Sequence, residues 1–384
     1  MEFDHASGRR SARALLCDSE GRRDIKSMNR VELVAWMMEH CGATEGQALG
    51  TYKSLWQRGS RTFEELHNVA APLRKTLAKR AYISFLEPEL VLRSSDGTTK
   101  FLWKLEDGLS MESVLIPDGD RLTLCMSSQV GCSMACTFCL TGDLGLKRHL
   151  KASEIANQAL QVGRQLPEGV RITNLVLMGM GEPLHNLDRL VRALEICLDD
   201  QAMNFSHRKV TVSTVGLVPR MGELAARLPV NLAVSLNASS EAQRMQIMPI
   251  TRRYGLDELL EECRRFPLPT GKRITFEYVM LGGFNDTVED AERLVGLLDG
   301  IPSKVNLIPY NENPQRTLKR PTDEAVKAFQ HTLVQRHLNA TVRVSRGRDI
   351  SAACGQLGKA AQQAADRGWL NQARDIAGLA PSVT

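Results

Sequence analysis

The stretch RLTLCM, residues 121–126, is a short apolar strand candidate, and it is followed by the loop CSMACTFC, residues 132–139. Similar apolar segments rich in Val, Ile or Leu follow at 172–178, 208–214, 230–236, 273–280 and 304–309. Helical patterns separate most of them, for example at 152–165, 187–199, 256–265 and 287–299. Repeated β-α units predict a parallel sheet with helices outside it, as an open sheet or as a full or partial barrel.

The cysteine loop follows the first strand of this series, and the chemistry of such folds gathers at the carboxyl ends of the strands. Four thiolates normally hold a cubane iron–sulfur cluster. Three on one short loop can hold three irons and leave the fourth open to an external ligand. The alternative is a zinc ion with Cys125 or His149 as fourth ligand, since Cys₃His sites exist. The C-x₃-C-x₂-C spacing, Phe138 and the position after the first strand favour the cluster.

Composition limits the class of protein. The chain has 384 residues, of which 43% are hydrophobic and 24% charged, as in a globular protein with a sizeable core. No apolar run approaches the roughly 18 residues of a membrane helix, and residues 1–23 carry no secretory pattern, so a cytoplasmic location without membrane contact is expected. A net charge of +5 permits nucleic-acid binding without requiring it. Cys197 and Cys263 fall in apolar helical patterns and are expected in the core.

The pattern divides the chain into five segments. They are a flexible extension (1–25), a small helical accessory domain (26–82), a small β connector (83–120), the main α/β core (121–360) and a C-terminal tail (361–384). Within the accessory domain, helices are expected from Ser27 onward and near Glu64 and Leu73. The connector is predicted from apolar runs on both sides of the turn SSDG at 94–97.

A family resemblance narrows this interpretation. The cysteine loop resembles the signature of the radical S-adenosylmethionine (SAM) superfamily, and MGMGEP at 178–183 resembles the site that binds the SAM amino group there. In combination with other runs, these motifs resemble the RlmN/Cfr family of RNA methyltransferases from about residue 28 to 360. The other runs are LCMSSQVGC (124–132), VST (212–214), SLNA (235–238), MPI (248–250), YVML (278–281), NLIPYN (306–311) and ACGQL (353–357).

The resemblance implies a radical SAM partial (β/α) barrel with the helical accessory domain and small β connector. It also implies an enzyme that methylates an adenine carbon in RNA. We expect methylation of C2, at position 2503 of 23S rRNA and at position 37 of tRNA; Cfr-like methylation of C8 of the same rRNA adenine is the alternative. The implied cofactors are a [4Fe-4S] cluster and two molecules of SAM per turnover. The implied partners are 23S rRNA, tRNA and an external flavodoxin-like electron donor, with the enzyme a monomer.

The resemblance also assigns residues. The cluster ligands are Cys132, Cys136 and Cys139. Cys354 is the thiol that first receives the methyl group, because an aromatic adenine carbon does not attack SAM directly. Cys125 is the second thiol, which forms a transient disulfide with Cys354, and Glu112 is a proton acceptor. The SAM contacts are Gly181, Glu182, Ser213, Ser235, Leu236, Asn237 and Asn311.

Alternatives to these roles exist. From the residues alone, Cys354 is a buried small hydrophobe beside two alanines, and Glu112 is a solvated carboxylate at a strand end. Asn237 stands where many family members have histidine; its amide can still form hydrogen bonds but cannot transfer protons. An RNA-binding protein with a structural cluster or zinc is a different class, against which the pair of additional cysteines argues. RNA-contact candidates are Lys147, Arg148, His149, Lys151, His207, Arg208, Lys209, Arg343, Arg346 and Arg348.

Overall fold

Residues 18–313 and 316–358 are described in a computed structural model of the chain. They fall into two compact units. The first contains residues 18–87, 150–171 and 188–207, and the second contains residues 88–149, 172–187, 208–313 and 316–358. The predicted tail over 361–384 lies outside the described residues, as does the predicted extension up to residue 17.

The helices and strands are numbered in chain order. The helices are α1 (Arg30–Cys41), α2 (Glu45–Lys53), α3 (Ala71–Arg80), α4 (Leu140–Asp143), α5 (Ala152–Gly163), α6 (Leu187–Leu198), α7 (Val218–Arg227), α8 (Glu241–Ile247), α9 (Leu256–Arg265), α10 (Val288–Leu297) and α11 (Asp323–Gln335). The strands are β1 (Arg23–Asp24), β2 (Ala81–Tyr82), β3 (Glu87–Arg93), β4 (Thr99–Lys104), β5 (Ser110–Asp118), β6 (Arg121–Cys125), β7 (Gln129–Val130), β8 (Arg148–His149), β9 (Asn174–Leu177), β10 (Val210–Thr214), β11 (Asn231–Ser235), β12 (Ile274–Met280), β13 (Ser303–Pro309) and β14 (Ala340–Val342).

The first unit is mainly helical, and its sequence sets where its helices begin. Asn29 and Glu32 form a reciprocal capping box at the start of α1, with bonds of 2.8 and 3.1 Å. Gly42, at φ 65°, ends the same helix in the left-handed conformation. The expected helix near Leu73 is α3, but the one expected near Glu64 is wrong, because residues 61–70 form turns. Isolated stretches of that length rarely repay the cost of helix nucleation.

The second unit is built on one ten-stranded sheet in the order β14-β13-β12-β11-β10-β9-β6-β5-β4-β3. The strands from β6 through β9 to β14 pair in parallel, as the repeated β-α units predict. Among the described residues, the sheet order ends at β14 on one side and at β3 on the other, so the sheet does not close into a full barrel. The edge strand β14, three residues long, was not predicted, because so short a segment carries no detectable alternation.

The small connector extends the sheet on its antiparallel side. Strand β5 pairs antiparallel with both β4 and β6, and Val114 lies opposite Cys125. The turn expected at 94–97 is present, closed by Gly97 N–H to Ser94 O at 3.0 Å, with Gly97 at φ 86°. Within residues 18–313 and 316–358, no helix is both long and apolar enough to cross a bilayer.

Candidate active site

A cavity of about 160 Å³ opens at the carboxyl ends of the parallel strands in the second unit. Its lining combines a short cysteine loop, the glycine-rich turn after β9 and the ends of β10 to β13. The predicted site residues that border it are Cys132, Cys136, Cys139, Gly181, Glu182, Ser213, Ser235, Asn237, Asn311 and Cys354. The fold thus gathers side chains from positions spread over more than two hundred residues of sequence.

The cysteine loop is held by backbone bonds rather than by regular structure. Cys139 N–H donates to Cys136 O at 3.0 Å, and Cys132 N–H donates to Gly145 O at 3.2 Å. Ala135 takes a left-handed conformation at φ 51°, which turns the chain between the first two cysteines. Burial raises the pKa of the Cys132 thiol to about 12 and also raises the pKa values of Cys136 and Cys139. Burial in this loop therefore disfavours the ionised form of all three thiols.

The glycine-rich turn places a buried carboxylate on the cavity wall. Both oxygens of Glu182 accept backbone N–H groups, from Leu184 at 3.0 Å and from Val215 at 2.8 Å. Burial nevertheless raises the pKa of Glu182 to about 7, so its charge is poised for a cationic partner. Gly181 has φ 99°, and a Cβ there would lie 2.5 Å from Gln129 Cβ, so only glycine fits.

Of the remaining predicted SAM contacts, some border the cavity and one is buried behind its lining. Ser213 and Ser235, near the ends of β10 and β11, border the cavity. Asn237 also borders it, in a left-handed conformation at φ 60° that asparagine tolerates better than most residues. Its Oδ1 accepts Val279 N–H at 2.8 Å. Leu236 is fully buried and absent from the lining, so its side chain packs behind the wall.

Asn311 connects the cavity to the segment that carries Cys354. Its Nδ2 donates to Cys354 O at 3.2 Å, while its Oδ1 is buried without a hydrogen-bond partner among the described residues. Such an orphaned acceptor at a cavity wall is the kind of group that a ligand satisfies.

A second cavity, of about 80 Å³, adjoins the first and brings the two remaining predicted thiols together. Cys125 and Cys354 both line it, and Cys354 borders both cavities. Cys125, at the end of β6, is buried, and burial raises the pKa of its thiol to about 12. Cys354 is half-buried rather than a core residue, so the alternative of a small buried hydrophobe is wrong.

Two further charged residues lie at the site. Arg343, one of the RNA-contact candidates, lines both cavities. The neighbouring thiol of Cys354, followed by Glu277 and Cys125, raises the pKa of Arg343. Glu277 also lines the large cavity, where it accepts Asn306 Nδ2–H at 3.1 Å, and burial raises its pKa. The sequence signal that could have identified Glu277 is an acidic residue inside an otherwise apolar strand, β12.

Glu112 lies apart from the other predicted catalytic residues. It lines neither cavity and is 1% exposed, so its interpretation as a solvated strand-end carboxylate is wrong. Its Oε2 lies 3.4 Å from Lys100 Nζ, an ion-pair contact without hydrogen-bond alignment, and its Oε1 accepts Gly358 N–H at 3.3 Å.

Comparison with known proteins agrees with this geometry. The family model of the Radical SAM superfamily matches residues 126–298. The protein named dual-specificity RNA methyltransferase RlmN from Geobacter sulfurreducens is 52% identical over 87% of this chain and 91% of its own. Its namesake from Anaeromyxobacter dehalogenans is 51% identical over 87% of this chain and 91% of its own. The chain belongs to the RlmN family of radical SAM enzymes.

A solved structure supports the fold of this RlmN-family chain directly. The radical SAM methyltransferase from Sphaerobacter thermophilus has a TM-score of 0.82 and 40% identity, covering 87% of this chain and 98% of that one. The prediction of the fold class is therefore confirmed.

The residues at the site fit the cofactors that the RlmN family implies. No group of three or more His, Cys, Asp or Glu side chains in residues 18–313 and 316–358 is arranged around one metal ion. The fit to a cluster rests instead on donor chemistry, because three thiols of one loop border the same cavity and thiolates are the ligands of iron–sulfur clusters. The fit to SAM rests on the buried Glu182 carboxylate, the orphaned Asn311 Oδ1 and the close backbone approach at Gly181.

Proposed function

We propose that this protein transfers a methyl group to C2 of adenine in RNA, at position 2503 of 23S rRNA and at position 37 of tRNA. The observation that supports this most is that Cys354 borders the cavity of the cysteine loop as well as the cavity of Cys125. A thiol in that position can receive a carbon atom in the large cavity and meet a second thiol in the small one. The name of the curated relatives, RNA methyltransferase, is in line with this chemistry.

The cofactor assignments follow the cavity lining. Cys132, Cys136 and Cys139 would hold the [4Fe-4S] cluster, and the glycine-rich turn with Glu182 would face the SAM ammonium. When bound, two molecules of SAM per turnover supply an electrophilic methyl group and, after one-electron reduction at the cluster, a hydrogen-abstracting radical. An external flavodoxin-like protein would deliver the electron to the monomeric enzyme.

Cys354 is the proposed acceptor of the methyl group. It must attack as a thiolate, because the thiol is a weak nucleophile. Arg343 lines both cavities that Cys354 borders, so its permanent positive charge lies near the attacking sulfur. Loss of one hydrogen atom from this S-methyl group lets its carbon bond to the adenine while it stays attached to sulfur. Protein and RNA are then joined in a covalent intermediate.

Cys125 is the proposed partner in product release. Its raised pKa means that it carries a proton at neutral pH, in the cavity it shares with Cys354. After the ring proton has left, Cys125 gives up its own proton and its sulfur bonds to the sulfur of Cys354. The bond between that sulfur and the transferred carbon breaks with its electron pair on the carbon, which takes up a proton and becomes the methyl group. An external thiol would reduce the disulfide before the next turnover. Glu112 is the proposed final proton acceptor.

The experiment is anaerobic turnover of the reconstituted, reduced holoenzyme with SAM and either an rRNA fragment or unmodified tRNA, read by nucleoside mass spectrometry. We expect 2-methyladenosine in both RNAs. Formation of 8-methyladenosine would replace the C2 assignment with the Cfr-like one. Cleavage of SAM without any methylated nucleoside would reject the substrate class.

Variants separate the steps. Cys125→Ala should accumulate a covalent adduct between protein and RNA, visible as a shifted band in denaturing gels. Cys263→Ala is the matched control, because Cys263 is buried in α9 and absent from both cavity linings. Normal turnover of Cys125→Ala without an adduct would remove Cys125 from the mechanism.

A further inference from the structure

The segment that carries Cys354 has an irregular backbone. After β14 ends at Val342, residues 343–358 form turns without a helix or strand. Ser351, Gly355 and Gly358 take positive φ angles of 51°, 80° and 116°. An irregular segment of this kind supplies few of its own backbone hydrogen bonds, so groups from elsewhere must hold it in place.

The β connector supplies such groups on both sides of Cys354. All of them belong to β4, β5 or the turn between β3 and β4. The bonds are Gly347 N–H to Asp96 Oδ2 (2.9 Å), Ser94 Oγ to Asp349 Oδ1 (2.6 Å), Lys100 Nζ to Ser351 O (3.1 Å) and Gly358 N–H to Glu112 Oε1 (3.3 Å). Two neighbouring strands reach the segment at two points, and the turn before them reaches it at two more.

Lys100 and Glu112 differ from the other anchors because they are charged and buried. Each is 1% exposed, and Lys100 Nζ lies 3.4 Å from Glu112 Oε2. Burial lowers the pKa of Lys100, and the neighbouring carboxylate of Glu112 counters that shift. A buried pair is rarely a net gain in stability over apolar side chains, so its presence is better explained by positional specificity than by stability.

We propose that the Lys100–Glu112 pair is a clamp that positions Cys354, with Lys100 as a positioning residue. This inference rests on the proposed role of Cys354 as methyl acceptor. Lys100 holds the segment three residues before the thiol and Glu112 holds it four residues after. The clamp explains why Glu112 sits behind both cavities instead of lining them.

The opposite side of the segment is held by the site itself. Leu140 N–H donates to Gly355 O at 2.8 Å, and Asn311 Nδ2 donates to Cys354 O at 3.2 Å. Thr141 Oγ1 also donates to Leu357 O at 2.7 Å. The thiol is thus fixed between the clamp and the start of α4, directly after the cysteine loop. Without the clamp, the segment would be held only by these bonds from the side of the cavity.

The test compares Lys100→Met with Lys104→Met in the full-length holoenzyme. Lys104 lies at the exposed end of the same strand and is the matched control. The first readout is hydrogen–deuterium exchange over 347–358, and the second is the rate at which Cys354 acquires its methyl group, measured by peptide mass spectrometry. We expect Lys100→Met to accelerate exchange and slow methylation, each about tenfold, with the cluster absorbance and the exchange of β12 unchanged. Lys104→Met should match the wild type in both.

The outcomes are separable. Unchanged exchange over 347–358 in folded Lys100→Met would overturn the clamp, and so would faster exchange with an unchanged methylation rate. If Lys100→Met fails to fold, Lys100→Met/Glu112→Leu removes both charges, and the same two readouts apply to it. If wild-type Cys354 never carries a methyl group, the proposed function fails; faster exchange would then leave a clamp on the segment but withdraw its role in methylation.

Discussion

Two buried lysines, Lys26 in the first unit and Lys100 in the second, have almost the same burial but different surroundings. Lys26 is fully buried, donates to Asn157 Oδ1 at 2.8 Å and lies 4.6 Å from the centre of the Trp56 ring. Lys100 instead faces the Glu112 carboxylate and a backbone carbonyl of an irregular segment. Lys26 thus joins helical segments, and Lys100 joins a sheet to a loop that carries a thiol.

The surroundings decide what each site contributes. Lys26 belongs to a network in which Asp24 accepts hydroxyl bonds from Ser27, Ser84 and Ser153 at 2.9, 2.9 and 2.5 Å. That network links the chain before α1 to α5, and Ser84 is the one of these three serines that lies outside a helix or strand. At Lys100 the partner segment contains no helix or strand, so the same kind of contact determines where a reactive group lies. Burial alone therefore does not distinguish a structural charge from a positioning one.

The largest expected effect contrasts a cysteine of each unit. Cys354→Ala should abolish methyl transfer, a loss of at least about 10⁴-fold, because no other group replaces a covalent nucleophile. Cys197→Ala, in the core of α6, should keep its activity and lose about 1–2 kcal/mol of stability. Peptide mass spectrometry and thermal melts measure both. If the Cys354→Ala protein still acquired a methyl group, Cys354 would not be the methyl acceptor.

The next effect is the pH dependence of stability at Lys26. Burial lowers the pKa of Lys26 from 10.5 to about 7, so between these values the unfolded chain binds a proton that the folded chain does not. Stability therefore falls as pH drops from 10.5 to 7 and is constant with respect to this group below 7. Each pH unit changes the free energy of unfolding by about 1.4 kcal/mol. Over that range the wild type should therefore lose about 5 kcal/mol of unfolding free energy relative to Lys26→Met. Urea denaturation at several pH values tests this, and a pH-independent difference would contradict it.

Glu112→Gln should separate the two roles proposed for this carboxylate. The glutamine oxygen still accepts Gly358 N–H, so the methylation rate of Cys354 should fall only a few-fold. Loss of a proton acceptor should lower release of methylated RNA about 100-fold. Asp24→Asn, a buried carboxylate of the first unit, is the control, and it should not alter the ratio of the two rates. If Glu112→Gln lowered both rates equally, Glu112 would keep its positioning role but would not be the proton acceptor.

The smallest effect comes from the same substitution in both regions. Ser84 Oγ donates to Asp24, and Ser94 Oγ donates to Asp349 at 2.6 Å. Ser84→Ala should cost about 1 kcal/mol in unfolding free energy. Ser94→Ala should instead accelerate amide exchange over 347–358 about fivefold, the equivalent of the same energy expressed locally. If both variants only lowered global stability, the distinction between the two regions would not hold.

The sequence predicted those strands and loops that are marked by a pattern within a few neighbouring residues. The strands β6 and β9 to β13 follow from short apolar runs, and the cysteine loop follows from the spacing of three residues. The cavity contains most of the predicted SAM contacts, because parallel strands bring their carboxyl ends to one edge whatever the loop lengths. Leu236 is the exception, since alternation along a strand end turns its side chain away from its neighbours.

By itself, the sequence determined the order of strands and helices, the edge at which the site forms and the thiols available there, since each depends on near neighbours in the chain. Only the tertiary structure decided that Arg343 enters the cavity, that Glu112 is buried against Lys100, and that α5 and part of α6 belong to the compact unit of the N-terminal helices. These facts depend on contacts between segments far apart in the chain. Whether a charged side chain is buried is set by which distant surface covers it, and no local pattern encodes that surface.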